Sequence, residues 1–288
     1  MAIGYWRAAG RVVVAGLFGA ACFAAVPLDA KAQQVQAEPA VFTEALSLSR
    51  GSLKPGKTEG YIVPQQMACE LVKTDWGWDR CDHIDGFAVL VAPGVDTVVI
   101  EKPNSEGHVR FEDWQSDTIE KEIEAIEADL RVGTRDQSEK LGYTIEFVGW
   151  RTYPTLDRAR NYLYYATDSS WDGELVTNIR ATVFDRKGYV EFLIIPDKAD
   201  MTPQDVEAAI NDVLGLYAPR ADERYAAFTD GDKIAAIGAV GVLATMLGVN
   251  HNKAATAGIV ATIIAFGKKL WFLILVPFVW VANRLRNK

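Results

Sequence analysis

The sequence predicts an α+β fold: a mainly antiparallel sheet with helices on one face, followed by a C-terminal helical membrane anchor. Short Val- and Ile-rich runs bounded by Gly, Pro and Asp recur along the chain and read as strands. Two stretches change to a helical period without alternating one for one with the strands, which disfavours a parallel sheet. From Ile234 to Ala282 there is no acidic residue, a composition suited to lipid.

Charge divides the chain in the same places. The formal net charge is −8. Residues 1–32 carry Arg7, Arg11 and Lys31 against Asp29, a net +2; residues 233–288 carry seven Lys or Arg and no acid, which leaves −17 on the residues between. So acidic a body repels phosphate backbones, and nucleic acid is not an expected partner. Arg7 and Arg11 ahead of the apolar run Val12–Val26, then Ala30-Lys31-Ala32, form a secretory signal pattern with cleavage before Gln33. Kept as an anchor, that run would span only about 22 Å of a hydrocarbon core about 30 Å thick. Cys22 as a lipoprotein site would cut the run short. The expected organisation is a signal peptide over 1–32, an exported acidic domain over 33–232 and an anchor with a basic tail over 233–288.

Between Val41 and Ile100, apolar stretches at Ala45–Leu48, Tyr61–Val63, Met67–Val72, Phe87–Ala92 and Thr97–Ile100 alternate with turn residues, so hairpins are expected and no helix of useful length. Cys69 and Cys81 flank a turn-like segment, Thr74–Asp79, that would bring two strands into register. Export would permit a disulfide between them, contributing on the order of 3 kcal/mol; a reduced pair is the other reading. Trp76 and Trp78 in that turn are candidates for an exposed surface that takes a sugar, peptidoglycan or a protein partner.

From Ser116 the period changes. Ile119, Ile123, Ile126 and Leu130 form one helical stripe, opened by a capping-box-like Asp117 and Glu120, with glutamates on a solvated face and Gly142 as the stop. Strands are expected at Tyr143–Trp150, Asn161–Thr167, Leu175–Phe184 and Tyr189–Ile195, the last two joined by a tight turn over Asp185–Gly188. Thr202, Pro203 and Asp205 open a final helix whose buried stripe is Val206, Ile210, Val213, Leu214 and Tyr217.

The apolar end falls into three blocks, Ile234–Val249, Ala254–Phe266 and Leu270–Ala282. Gly238, Gly241 and Gly248 on the first and Gly258 on the second give the small-residue spacing that lets helices approach closely, as a hairpin or between copies in a homo-oligomer. Arg284, Arg286 and Lys288 favour a cytoplasmic C-terminus.

No H-E-x-x-H, G-x-S-x-G, P-loop or dinucleotide fingerprint occurs, and no cofactor or metal is expected. His83 and His108 each have acidic neighbours and are the candidates for acid–base work, although such neighbours arise by chance in an acidic chain.

Three stretches resemble a known family. They are Phe147–Asp157 running into the strand Asn161–Ala166, Asn178–Val190 through the Asp185–Gly188 turn, and Arg224–Phe228 followed by Asp232–Ala236. Their order, with Gly107–Trp114 upstream, is similar to the bacterial domain of unknown function 2167 over about residues 85–285. His108 and Asp185 depart from its pattern, and the segment before residue 85 does not match it well. The resemblance implies a membrane-anchored protein of undefined activity.

The expected function is a non-enzymatic binding or scaffold role at the inner membrane, with the main domain in the periplasm, the lipid bilayer and an envelope protein as partners, and homo-oligomers through the anchor. An envelope hydrolase or carbohydrate-active enzyme is the alternative from another class, and a pore or transporter accessory is a third.

Overall fold

In the computed structural model, the described residues are 38–249 apart from Asp75, Gly77 and Tyr143. The strands are β1 (Ala40–Val41), β2 (Leu46–Leu48), β3 (Gly51–Leu53), β4 (Tyr61–Ile62), β5 (Ile84–Val89), β6 (Val95–Glu101), β7 (Ile145–Asp157), β8 (Tyr162–Trp171), β9 (Glu174–Asp185), β10 (Gly188–Pro196) and β11 (Tyr217–Pro219). The helices are α1 (Gln65–Thr74), α2 (Ile119–Leu141), α3 (Pro203–Leu216) and α4 (Ala239–Met246). Eight strands form one antiparallel sheet in the order β1-β4-β5-β6-β10-β9-β8-β7, and β11-β3-β2 form a small second sheet. The fold is α+β, as its composition of elements predicts.

The helices cover both faces of the large sheet, not one. Ile179, Ala181, Val183, Phe192 and Ile194 pack on α3 and on Leu48, Leu53 and Tyr217 of the small sheet. On the other face, Leu163, Tyr165, Phe184 and Tyr189 meet α2 and α4, while Phe87, Val99 and Leu193 meet α1. Central strands that are apolar at both parities must bury both faces, and β9 and β10 are such strands.

Helix α1 corrects the expectation of hairpins only. Ala68 and Val72, four residues apart, are fully buried, so the run Met67–Val72 satisfies a helical period as well as it suggested a strand. Helix α2 is continuous to Leu141 and ends on Gly142 in the left-handed region at φ 72°. Its N-cap is Thr118 without a side-chain cap bond, so Asp117 and Glu120 do not form the expected box. Helix α3 has the full capping box of Thr202 and Asp205, with Pro203 in its first turn.

The first apolar block is part of the body. His108 N donates to Lys233 O, Ala235 N to His108 O and Ala239 N to Arg110 O, each within 3.2 Å. Val240, Val242, Leu243 and Leu247 are at most 1% exposed, buried with Ile123, Ile126 and Tyr165. The domain boundary expected at residue 232 therefore does not fall there. The physical reason is that an apolar helix finds the same relief against an uncovered sheet face as in lipid. Among the described residues no helix is long and apolar enough to cross a membrane. The blocks Ala254–Phe266 and Leu270–Ala282, with Gly258, lie outside them.

Candidate functional site

The β9–β10 hairpin pairs Asp185 with Gly188 across a two-residue turn, and it carries two buried arginine–carboxylate networks. At the turn, Arg50 Nη1 donates to both oxygens of Asp185 at 2.5 and 2.6 Å. Arg50 Nη2 donates to Ser105, and Lys187 N donates to Asp185 Oδ1 at 2.8 Å. Lys187 Nζ reaches Glu223 at 2.8 Å. Gly188, at φ 156°, lets Asn104 close over the turn, since a Cβ there would collide with the Asn104 carbonyl.

The second network lies in mid-sheet, on the face that α4 covers. Arg180 of β9 donates through Nη1 to Glu101 of β6 at 3.1 Å and to Glu191 of β10 at 2.6 Å. Alternation places all three on one face of adjacent strands. They line a cavity of about 170 Å³ with Lys102, Asn104, Tyr189, Thr245 and Met246. Exposed Lys102 stands at its rim, whereas the Arg180 side chain is 4% exposed. Burial first, then the Glu101 charge, pushes the Glu191 carboxyl up to about 8, against the opposing pull of Arg180. Burial, with Glu191 and Glu101 adding, also raises the Tyr189 phenol, which stays a hydroxyl. Apolar neighbours conceal this site in the sequence; the signal for it is charge at Glu101, Arg180 and Glu191 inside strands that are largely buried.

The residues singled out from sequence lie elsewhere. Cys69 and Cys81 are joined as a disulfide, with Cα atoms 5.2 Å apart, but Cys69 sits on helix α1 and not on a strand. Trp78 is 3% exposed, and Trp76 is half-buried against Trp78 and Phe87 at 5.5 and 5.7 Å. The pair is therefore core and not an exposed platform, because covering α1 and β5 requires its apolar area. His83 stacks on Trp78 at 5.2 Å, and burial lowers its pKa. His108 is held between Tyr225 and Phe228 at 4.2 and 4.3 Å, and burial lowers its pKa too. Neither imidazole lines the cavity.

Of the glycines expected to pack an anchor, Gly238, Gly241 and Gly248 serve the body instead. Gly238 is the N-cap of α4, and a Cβ on it would collide with the carboxylate of Asp113. Asp113 accepts from Val240 N at 3.0 Å, so a side chain from before α2 satisfies the start of α4. A Cβ on Gly241 would crowd Ile237, and Gly248 takes φ 68° just after the helix. Among the described residues no group of three or more His, Cys, Asp or Glu is arranged to hold a metal ion.

Compared with known families, residues 45–279 match the model described as protein of unknown function (DUF2167). The chain belongs to the DUF2167 family. The match includes the Cys69–Cys81 region, which the motifs read from sequence left out, and it runs through α4 without a break. No curated protein and no solved structure matches the chain. Within this DUF2167 protein, then, the cavity on β6, β10 and β9 is the site that geometry alone brings forward.

Proposed function

We propose that this protein is an exported, membrane-held binding protein of the cell envelope, with no reaction of its own. The observation that carries this reading is the Cys69–Cys81 disulfide within a strongly acidic body, since such a bond persists outside the reducing cytosol. The signal-like start and the apolar residues 254–282, followed by a basic tail, agree with export and retention at the inner membrane. The cavity supports binding over chemistry, because both of its carboxylates are engaged by Arg180.

Fractionation tests the location. The chain should stay in the membrane pellet through an alkaline wash, leave it only with detergent, and resist thiol labelling at Cys69 and Cys81 until reduced. Recovery as a soluble protein with free thiols at both positions would defeat the reading.

A hydrolase acting on envelope polymers is the second reading, favoured by Glu191 being pushed up to about 8 beside Glu101. A general acid needs a carboxyl that keeps its proton near neutral pH. It predicts turnover of an envelope glycan that Glu191→Gln abolishes.

A further inference from the structure

We propose that the surface where α2 meets the edge strand β7 docks a lysine-rich segment of a partner protein, held by Trp150, Tyr153, Glu120 and Glu124. This goes beyond the binding reading above, and it shares no residue with the cavity.

The aromatic row on this surface is built by irregularity. Strand β7 is the last of the large sheet. Residues three apart in a regular strand face opposite ways. Here the β7–β8 register shifts once between Phe147 and Gly149 and again between Trp150 and Thr152. The shifts turn Phe147, Trp150 and Tyr153 to one side, where neighbouring rings meet in T-shaped pairs at 5.4 and 6.1 Å. Trp150 is fixed there by the Tyr165 ring at 5.8 Å and by donating from Nε1 to Glu127 at 2.7 Å. Tyr153 is left 45% exposed.

Helix α2 lays carboxylates beside the row. Glu120, Glu124 and Glu127 recur at helical spacing on one face. Burial and then the charges of these three residues hold the Tyr153 phenol above its ordinary value, which puts all three carboxylates near that ring. Alone they would be a solvated helix face; with the rings beside them they can hold a cation from two sides.

The protein fills one end of the row itself. The Arg131 guanidinium lies 4.8 Å from the centre of the Phe147 ring and pairs with Glu127 at 2.7 Å. At the other end Tyr153 stands with Glu120 and Glu124, both exposed, and among the described residues no cation lies over this ring or pairs with either acid. A cation from outside would complete there what Arg131 completes at Phe147.

Spacing and sign select the occupant. One turn of helix sets Glu120 and Glu124 about 6 Å apart along the axis. Alternate residues of an extended chain lie about 6.7 Å apart, so a Lys-x-Lys segment reaches both acids at once. A second copy of this chain would bring the same negative stripe and be repelled.

The test uses the full chain in non-ionic detergent and the fluorescence anisotropy of a labelled peptide that alternates lysine with serine. The peptide should bind, more weakly as salt is raised, and its counterpart with glutamate for lysine should not. Replacing both acids, Glu120→Gln with Glu124→Gln, should weaken binding roughly tenfold. Tyr153→Ala should weaken it about fivefold, and Tyr153→Phe should restore it, because the ring face and not the hydroxyl meets the cation.

No binding, or equal binding by the double glutamine variant or by Tyr153→Ala, would overturn the proposal. Choline or putrescine competing as well as the peptide would overturn it in favour of a small-cation site. Binding that appears only after Arg284, Arg286 and Lys288 are changed to Gln would overturn it in favour of the chain's own tail. Each of these results leaves fractionation and thiol labelling, and so the reading of an exported membrane-held protein, untouched.

Discussion

Arg50 and Arg180 are both more than nine-tenths buried and both paired with carboxylates, yet their surroundings differ. Arg50 meets one carboxylate, Asp185, through a bidentate contact in which Lys187 N also takes part. Arg180 divides one guanidinium nitrogen between Glu101 and Glu191, beside open volume and a tyrosine hydroxyl that makes no hydrogen bond among the described residues. One network closes a turn onto the small sheet's β2–β3 connection. The other sets two carboxyls and one guanidinium in the wall of a cavity. The same chemistry therefore fastens the fold at one end of β9 and leaves it open to an occupant further along the same strand.

The sharpest break in this contrast is at the closed network. Asp185→Ala strands Arg50 in the interior and removes the acceptor of Lys187 N, and it should cost about 4 kcal/mol in denaturant melts. A loss below about 1 kcal/mol would show that Arg50 is solvated after all.

The open network should reveal itself through pH. Glu191 titrates at about 8 when folded, above its ordinary 4.5, so the folded chain holds a proton that the unfolded chain has released. The Glu191 contribution to stability should accordingly be full below about 4.5, fall as pH rises towards about 8, and be lost above it, at a slope on the order of 1 kcal/mol per pH unit. Glu191→Gln should flatten that slope, as followed by thermal unfolding across the window; an unchanged slope would mean that Glu191 is ionised throughout.

The smallest effect belongs to Tyr189→Phe. Deleting an unpaired hydroxyl should shift stability by no more than about 0.5 kcal/mol. A clear destabilisation would mean that the hydroxyl already has a partner, and the distinction between the networks would narrow.

Local signals were legible where one short segment decides the outcome. The cap of α3 at Thr202, the stop of α2 at Gly142 and the Asp185–Gly188 turn follow from residues within a few positions of each other. What escaped depends on distant partners. Ala68 and Val72 fit a helix only because β5 offers a face to cover, and α4 enters the body because Asp113, 127 residues before Val240, caps it. The cavity was illegible for the same reason, since Glu101 meets Arg180 across 79 positions. Trp76 and Trp78 show the converse error, in which two conspicuous aromatics fill a gap in the core.

Thr245 and Met246 form part of the cavity wall and precede Val249 by only a few residues. A pull on Val249 would act on that wall and at the same time on β8, because Tyr165 Oη donates to Met246 O at 3.2 Å, with Asp113 at the far end of α4 resisting it. Load on the end of α4 and the shape of the cavity would thus be mechanically linked through Met246.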